Sequence, residues 1–121
     1  MHKISIEELA KQISLIDCEL YQEIQLEELY HLNWSKERKH RDAPNVMAVI
    51  TQFNRISRWV AHTIVNCLKF DLRVNLLRKF IDLAQQLLRL NNFSGSLAIL
   101  SALSNAAVTR LKKTWEVGNP W

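Results

Sequence analysis

The first apolar positions of the chain, Ile6, Leu9, Ala10 and Ile13, fall three or four residues apart, which is the spacing of one face of a helix. Ser5, with Glu8 three positions later, has the form of a capping box, so the pattern predicts a helix from Ser5 to about Leu15. Asp17 is placed to cap a second short helix running through Ile24, and the acidic stretch QLEELYHL predicts a third that ends near Trp34. Residues Ser35 to Ala43 read as a polar loop. Pro44 suits a first helical turn, and Val46, Val49, Ile50, Phe53, Ile56, Val60, Ile64 and Leu68 then recur every three or four positions, predicting a long helix from Pro44 to about Cys67.

Asp71 is set to cap the next helix, whose Leu72, Leu76, Leu77, Phe80, Ile81, Ala84, Leu87 and Leu88 make an apolar stripe wide enough to lie between neighbours. That helix is expected to stop near Asn91. Asn91 and Asn92 favour a turn held by side-chain bonds to the backbone, Phe93 is expected to pin the turn into the core, and Ser94 or Ser96 can cap a further helix through about Leu103. A break at Ser104 and Asn105 precedes a last helix carrying Val108, Leu111 and Trp115, and VGNPW reads as loop. No segment alternates with a period of two, and no long repeat is present. The fold class is all-α, a helical bundle, and residues 1–121 read as one helical domain.

Composition changes this picture little. The apolar runs fall far short of the ~18 residues a spanning helix needs, so a soluble, cytoplasmic protein is expected. Cys18 and Cys67 both lie in helical stretches and read as buried free thiols rather than a disulfide. Charge is more informative. Residues 1–33 hold two Lys against seven acids, or −5, while residues 34–121 hold fourteen basic residues against five acids, or +9, and together these give the net +4. The basic stretch WSKERKHRDAP lacks interleaved aromatics and is followed by no nucleic-acid motif, which argues for a solvated segment and against nucleic acid as a partner.

Candidate chemistry is sparse. His2, His31, His40 and His62 pair with no second ligand at helical spacing, so no metal is expected. With Gly95 and Gly118 as the two glycines, no glycine-rich loop can cradle a phosphate, and no nucleophile elbow is present. No cofactor is implied. The residues favour a binding module over an enzyme performing covalent chemistry.

Four segments give the chain a family resemblance: LAKQISLIDCELYQEIQLEEL with Trp34 shortly after, APNVMAVITQFNRISRWV, LLRKFIDLAQQLLRLNNFSGSLAILSAL, and VTRLKKTWE. In this order they resemble the catalytic domain of Ras-type guanine nucleotide exchange factors, from Leu9 to Glu116. The resemblance implies an all-helical domain that binds the switch regions of a Ras-family small GTPase, distorts the segments holding magnesium and phosphates, and stabilises the nucleotide-free state. It implies a regulator rather than an enzyme. It also assigns positions. Ile50 and Leu97 match apolar residues of the groove for the GTPase's second switch, and Asn54 and Ser101 match polar residues on the same wall. Trp34 falls where the family often has an interface-proximal Trp. Ser104 and Thr109 are departures, Ser104 standing where many relatives have Asn and Thr109 where a larger side chain is common, and both belong to the GTPase-facing set. Asn91, Asn92, Phe93, Arg110 and Leu111 match positions that hold the scaffold.

The family's domain continues past KKTWE into further helices and a protruding helical hairpin that displaces the first switch, and those features are absent here. The resemblance therefore leads us to expect weak or no exchange by this chain, with a non-catalytic GTPase-binding or regulatory protein as the alternative. It also leads us to expect an uncovered apolar face open to self-association. Membrane recruitment would have to come through other regions.

Overall fold

A computed structural model describes residues 4–30 and 39–118. Among these residues lie eight helices: α1 (Ile6–Gln22), α2 (Leu26–Leu29), α3 (Lys39–Asp42), α4 (Pro44–Val65), α5 (Phe70–Arg89), α6 (Phe93–Leu103), α7 (Ala106–Thr109) and α8 (Lys112–Gly118). No strand occurs among the described residues, and the fold is all-α.

Helix α5 is the hub. It packs against α1, α6 and α8, while α4 lies along α6 and also meets α1. The core gathers Ala10 and Ile13 of α1, Ile56, Val60 and Ile64 of α4, Leu77, Phe80, Leu83 and Leu87 of α5, Ala98, Ile99 and Leu103 of α6, and Val108 of α7. Trp59 meets Phe80 edge to face, with ring centroids 5.3 Å apart, a geometry that suits the aromatic quadrupoles and ties α4 to α5. Each fully buried Leu or Ile contributes roughly 1.5–3 kcal/mol relative to exposure, far more than helix propensity supplies per residue, so packing keeps these helices folded.

Three polar connections hold the elements in register. Glu28 serves two helices at once. Its Oε2 accepts the backbone N–H of Gln25 at 2.8 Å, which caps α2, and the Nδ2 of Asn45 at 3.0 Å. Its Oε1 accepts the N–H groups of Asn45 and Val46 at 2.6 and 3.0 Å. Those two donors lie in the first turn of α4, whose N-cap Ala43 has no side-chain acceptor to offer. Burial works against the Glu28 charge, but the bonds from Gln25, Asn45 and Val46 outweigh it and hold the carboxyl below its ordinary value.

The second connection is Asn92. Its Oδ1 caps α6 by accepting from Gly95 N–H at 2.9 Å, while its Nδ2 donates to Ser14 Oγ at 3.2 Å and to Asp17 Oδ2 at 2.8 Å on α1. A Cβ on Gly95 would sit 2.9 Å from that Nδ2, so the absence of a side chain there makes the arrangement possible. The third is Arg73, whose guanidinium donates to Cys67 O and to Thr114 Oγ1, fastening α8 to the start of α5.

The structure corrects several expectations. The first helix does not end at Leu15 but runs on to Gln22, because Asp17 bonds to Asn92 and not to a first-turn amide. Glu8 accepts from Gln12 and does not reach back to Ser5, so Ser5 caps α1 alone. Lys39 to Asp42 of the expected loop form a short helix, and Trp34 lies outside the described residues, as does the end of the third expected helix. Asp71 sits inside the first turn of α5 and complements its dipole without capping it.

Asn92, not Ser94 or Ser96, caps α6, and Phe93 is 64% exposed. Leu68 falls beyond the end of α4 and is 93% exposed. The last expected helix is split into α7 and α8, with Trp115 Nε1 donating to Val108 O across the break. Val117 and Gly118 of the expected terminal loop belong to α8. Both cysteines are free, as expected, but Cys18 is exposed and Cys67 half-buried.

Candidate functional site

The wall that carries the candidate residues is built from α4 and α6, which pack together more extensively than any other pair of helices. Helix α6 turns Ala98, Ile99, Ala102 and Leu103 inward. The opposite face therefore carries Leu97, Leu100, Ser101 and Ser104, and Leu97 is 58% exposed despite its size. Leu97 and Ser101 stand four residues apart, one turn of the same face. Helix α4 repeats the pairing: Ile50 is half-buried, and Asn54, one turn on, is exposed. None of the four residues is fully buried. They lie on two adjoining helices, an apolar and a polar residue on each.

Hydroxyl bonding separates Ser101 from its neighbours. Ser104 Oγ donates to Leu100 O at 2.9 Å and Thr109 Oγ1 to Ala106 O at 3.1 Å, each folded back on its own turn. The Ser101 hydroxyl makes no such bond among the described residues and faces solvent with its donor free. Asn54 opens onto a cleft of about 290 Å³ lined also by Ser57, Arg58, Ala61, His62 and Asn105, so α4 and the residue following Ser104 share one surface. Thr109 is exposed on α7, which packs on α4. Trp34, the remaining candidate, is outside the described residues.

Both ends of the wall are fixed. Glu28 holds the start of α4, placing Ile50 and Asn54, and Asn92 holds the start of α6, placing Leu97 and Ser101. At the C-terminal end of α5, Asn91 takes a left-handed φ of 62°, and the N–H groups of Asn91 and Asn92 donate to Leu88 O and Leu87 O. This is a Schellman closure, and it turns the chain directly into α6. The doublet of asparagines thus divides its work: Asn91 supplies the backbone conformation and Asn92 the bonds.

Sequence reasoning missed Glu28, which reads as one more acid on a solvated helix; its importance depends on Asn45, seventeen residues away. It also missed Asp17 as the partner of Asn92. Burial raises the Asp17 carboxyl above its ordinary value, and the bond from Asn92 offsets this in part. No cluster of His, Cys, Asp and Glu suited to a metal is present among the described residues, and none of their helices is long and apolar enough to cross a membrane.

Between α5 and α6, an apolar groove of about 450 Å³ runs past Ile81, Leu88, Leu100, Leu103 and Trp115. It explains why Leu88, within the stripe expected to be covered, is half exposed.

The RasGEF domain family matches residues 8–119. Among curated relatives, the chain is 40% identical over 113 residues to Ras guanine nucleotide exchange factor M of Dictyostelium discoideum, covering 93% of this chain and 12% of that protein. It is 41% identical over 117 residues to the Ras-specific guanine nucleotide-releasing factor RalGPS1 of Mus musculus, covering 97% of this chain and 20% of that protein. It is 41% identical over 109 residues to Ras guanine nucleotide exchange factor E of Dictyostelium discoideum, covering 90% of this chain and 10% of that protein. The chain thus spans a fifth or less of the length of these relatives.

Proposed function

The chain belongs to the RasGEF family, and from that premise we propose that it binds the switch regions of a Ras-like small GTPase and promotes release of its GDP. The observation that carries this reading is the packed pair α4 and α6, with the exposed Leu97 and the free hydroxyl of Ser101 on one helix and Ile50 and Asn54 on the other. A large exposed apolar side chain next to unbonded small polar groups suits a partner whose backbone approaches closely, with the apolar residue as anchor and the hydroxyl and amide as hydrogen-bonding groups.

Exchange of this kind needs no bond chemistry. A protein that binds the empty GTPase more tightly than the loaded one must, by linkage, weaken nucleotide binding by the same factor. Faster release further requires that the bound switches move away from the magnesium and phosphates they hold. The protein acts as a regulator in this reading, and a cytoplasmic setting goes with it.

Release of a fluorescent GDP analogue from a panel of Ras-like GTPases tests the proposal, with capture of nucleotide-free and nucleotide-loaded forms alongside. Preferential capture of the empty form of at least one GTPase is expected. The double variant Leu97→Ala, Asn54→Ala should lose that capture while its circular dichroism stays that of the wild type. Equal capture of empty and loaded forms would leave a binder without exchange activity, and capture of neither would refute the reading.

A further inference from the structure

The cleft between α4 and α7 adds a feature that neither the apolar anchor nor the Ser101 hydroxyl uses. Asn54, Arg58 and His62 follow one another at four-residue intervals along the exposed side of α4, with Ser57 and the small Ala61 between them, and Asn105 faces them from the cap of α7. Every polar side chain of this set can offer a donor, and Arg58 offers donors alone. The Oδ1 of Asn105 is already occupied, accepting from Ala107 N–H at 2.9 Å, so its Nδ2 donors are the part left to offer. Arg58 carries donors only, and neither an internal hydrogen bond nor an ion pair engages its guanidinium among the described residues. Asn54 and Ser57 can each add a donor. None of the residues lining the cleft is acidic.

We propose that this cleft receives a carboxylate side chain of the GTPase docked on the wall, with Arg58 as the ion-pairing residue and Asn105 Nδ2 as the second donor. The proposal deepens the reading of the wall as a GTPase-binding surface and rests on it. A planar guanidinium near an amide donor matches the two oxygens of a carboxylate. The cleft also lies within residues 34–121, which carry a surplus of nine positive charges, a balance that favours an acidic partner surface. Arg58 is thus a specificity-determining residue, selecting GTPases that present an acid at this point and disfavouring those that present a base.

The test measures association of the 121-residue chain with a panel of nucleotide-free Ras-like GTPases at low and at high NaCl. For a GTPase that binds the wild type, Arg58→Glu should weaken binding roughly tenfold or more at low salt, mainly in the association rate, and flatten the salt dependence. Arg58→Lys should keep part of the salt dependence. Lys79→Glu makes the same change in net charge from an exposed position on α5 outside the cleft, and it should have little effect. Exchanging the responsible acid of the GTPase for Lys should restore binding to Arg58→Glu.

If the wild type binds a GTPase and Arg58→Glu binds equally well, or no more weakly than Lys79→Glu, the carboxylate site is overturned while the wall stands. If the wild type binds none of the panel, the reading of the wall fails and takes this inference with it. Thermal melting of Arg58→Glu matched to the wild type keeps loss of fold from passing as loss of contact.

Discussion

Two buried carboxylates respond to acid in opposite directions. Glu28 is 4% exposed and its folded pKa lies below the ordinary 4.5, so its stabilising contribution is present above that value and is lost as pH falls through the folded value. Asp17 is 8% exposed and its folded pKa is raised from 3.8, so the native state holds its proton more tightly. The stability Asp17 contributes is therefore present at low pH and lost as pH rises through its folded value. Glu28→Gln should destabilise the protein at neutral pH, since its amide turns donors toward the donors of Asn45 and Val46, and should flatten the acid limb of a stability-against-pH curve. Asp17→Asn keeps an oxygen for Asn92 and removes a poorly solvated charge. It should be neutral to stabilising at pH 7 and should steepen the same limb. Urea midpoints across pH 3 to 7 check both, and identical limbs for the two variants would contradict the assignment.

Among the elements, the junction of α5 and α6 depends most on particular residue types. Asn91, at a φ of 62°, occupies a conformation that costs an ordinary L-residue roughly 1–2 kcal/mol, so Asn91→Val should lower stability by about that much and Asn91→Gly should not. Gly95→Ala should also destabilise, because its methyl group would meet the Asn92 amide and disturb the cap and the bond to α1 together. Chemical denaturation of the three variants tests the ordering.

This junction also shows how far the sequence could be read. The long helices were legible because apolar positions repeat every three or four residues, and the break near Asn91 because two adjacent asparagines are poor helix formers. Which residue caps was not legible. Ser94, Ser96 and Asn92 are all competent acceptors, and the choice falls to Asn92 because α1 brings Ser14 and Asp17 to its other side. The continuation of α1 past Leu15 was hidden for the same reason. On the wall, motif matching picked out Leu97, Ser101 and Asn54, which are exposed, and Ile50, which is half-buried, but it could not tell the free hydroxyl of Ser101 from the internally bonded one of Ser104.

For the molecule as a whole, α8 is the helix whose attachment is most easily isolated. It docks on α5 through the Arg73 bonds to Cys67 O and Thr114 Oγ1, through an Arg78 bond to Val117 O, and through Gly118, whose missing Cβ would come within 2.9 Å of the buried Leu77. Arg73→Met should cost about 1–3 kcal/mol by leaving Thr114 and Cys67 O without their partner. Amide hydrogen exchange should rise first over residues 112–118 and leave α4 and α6 protected.

The Asn92 amide makes the opposite kind of joint, one that spreads a local event. Its nitrogen grips the first helix while its oxygen grips the helix bearing Leu97 and Ser101, so this one side chain couples a displacement of α1 to the start of α6. Exchanging that NH2 for an oxygen, as in Asn92→Asp, would spare the cap yet set two acids face to face. The same joint would then push apart the helices it now draws together.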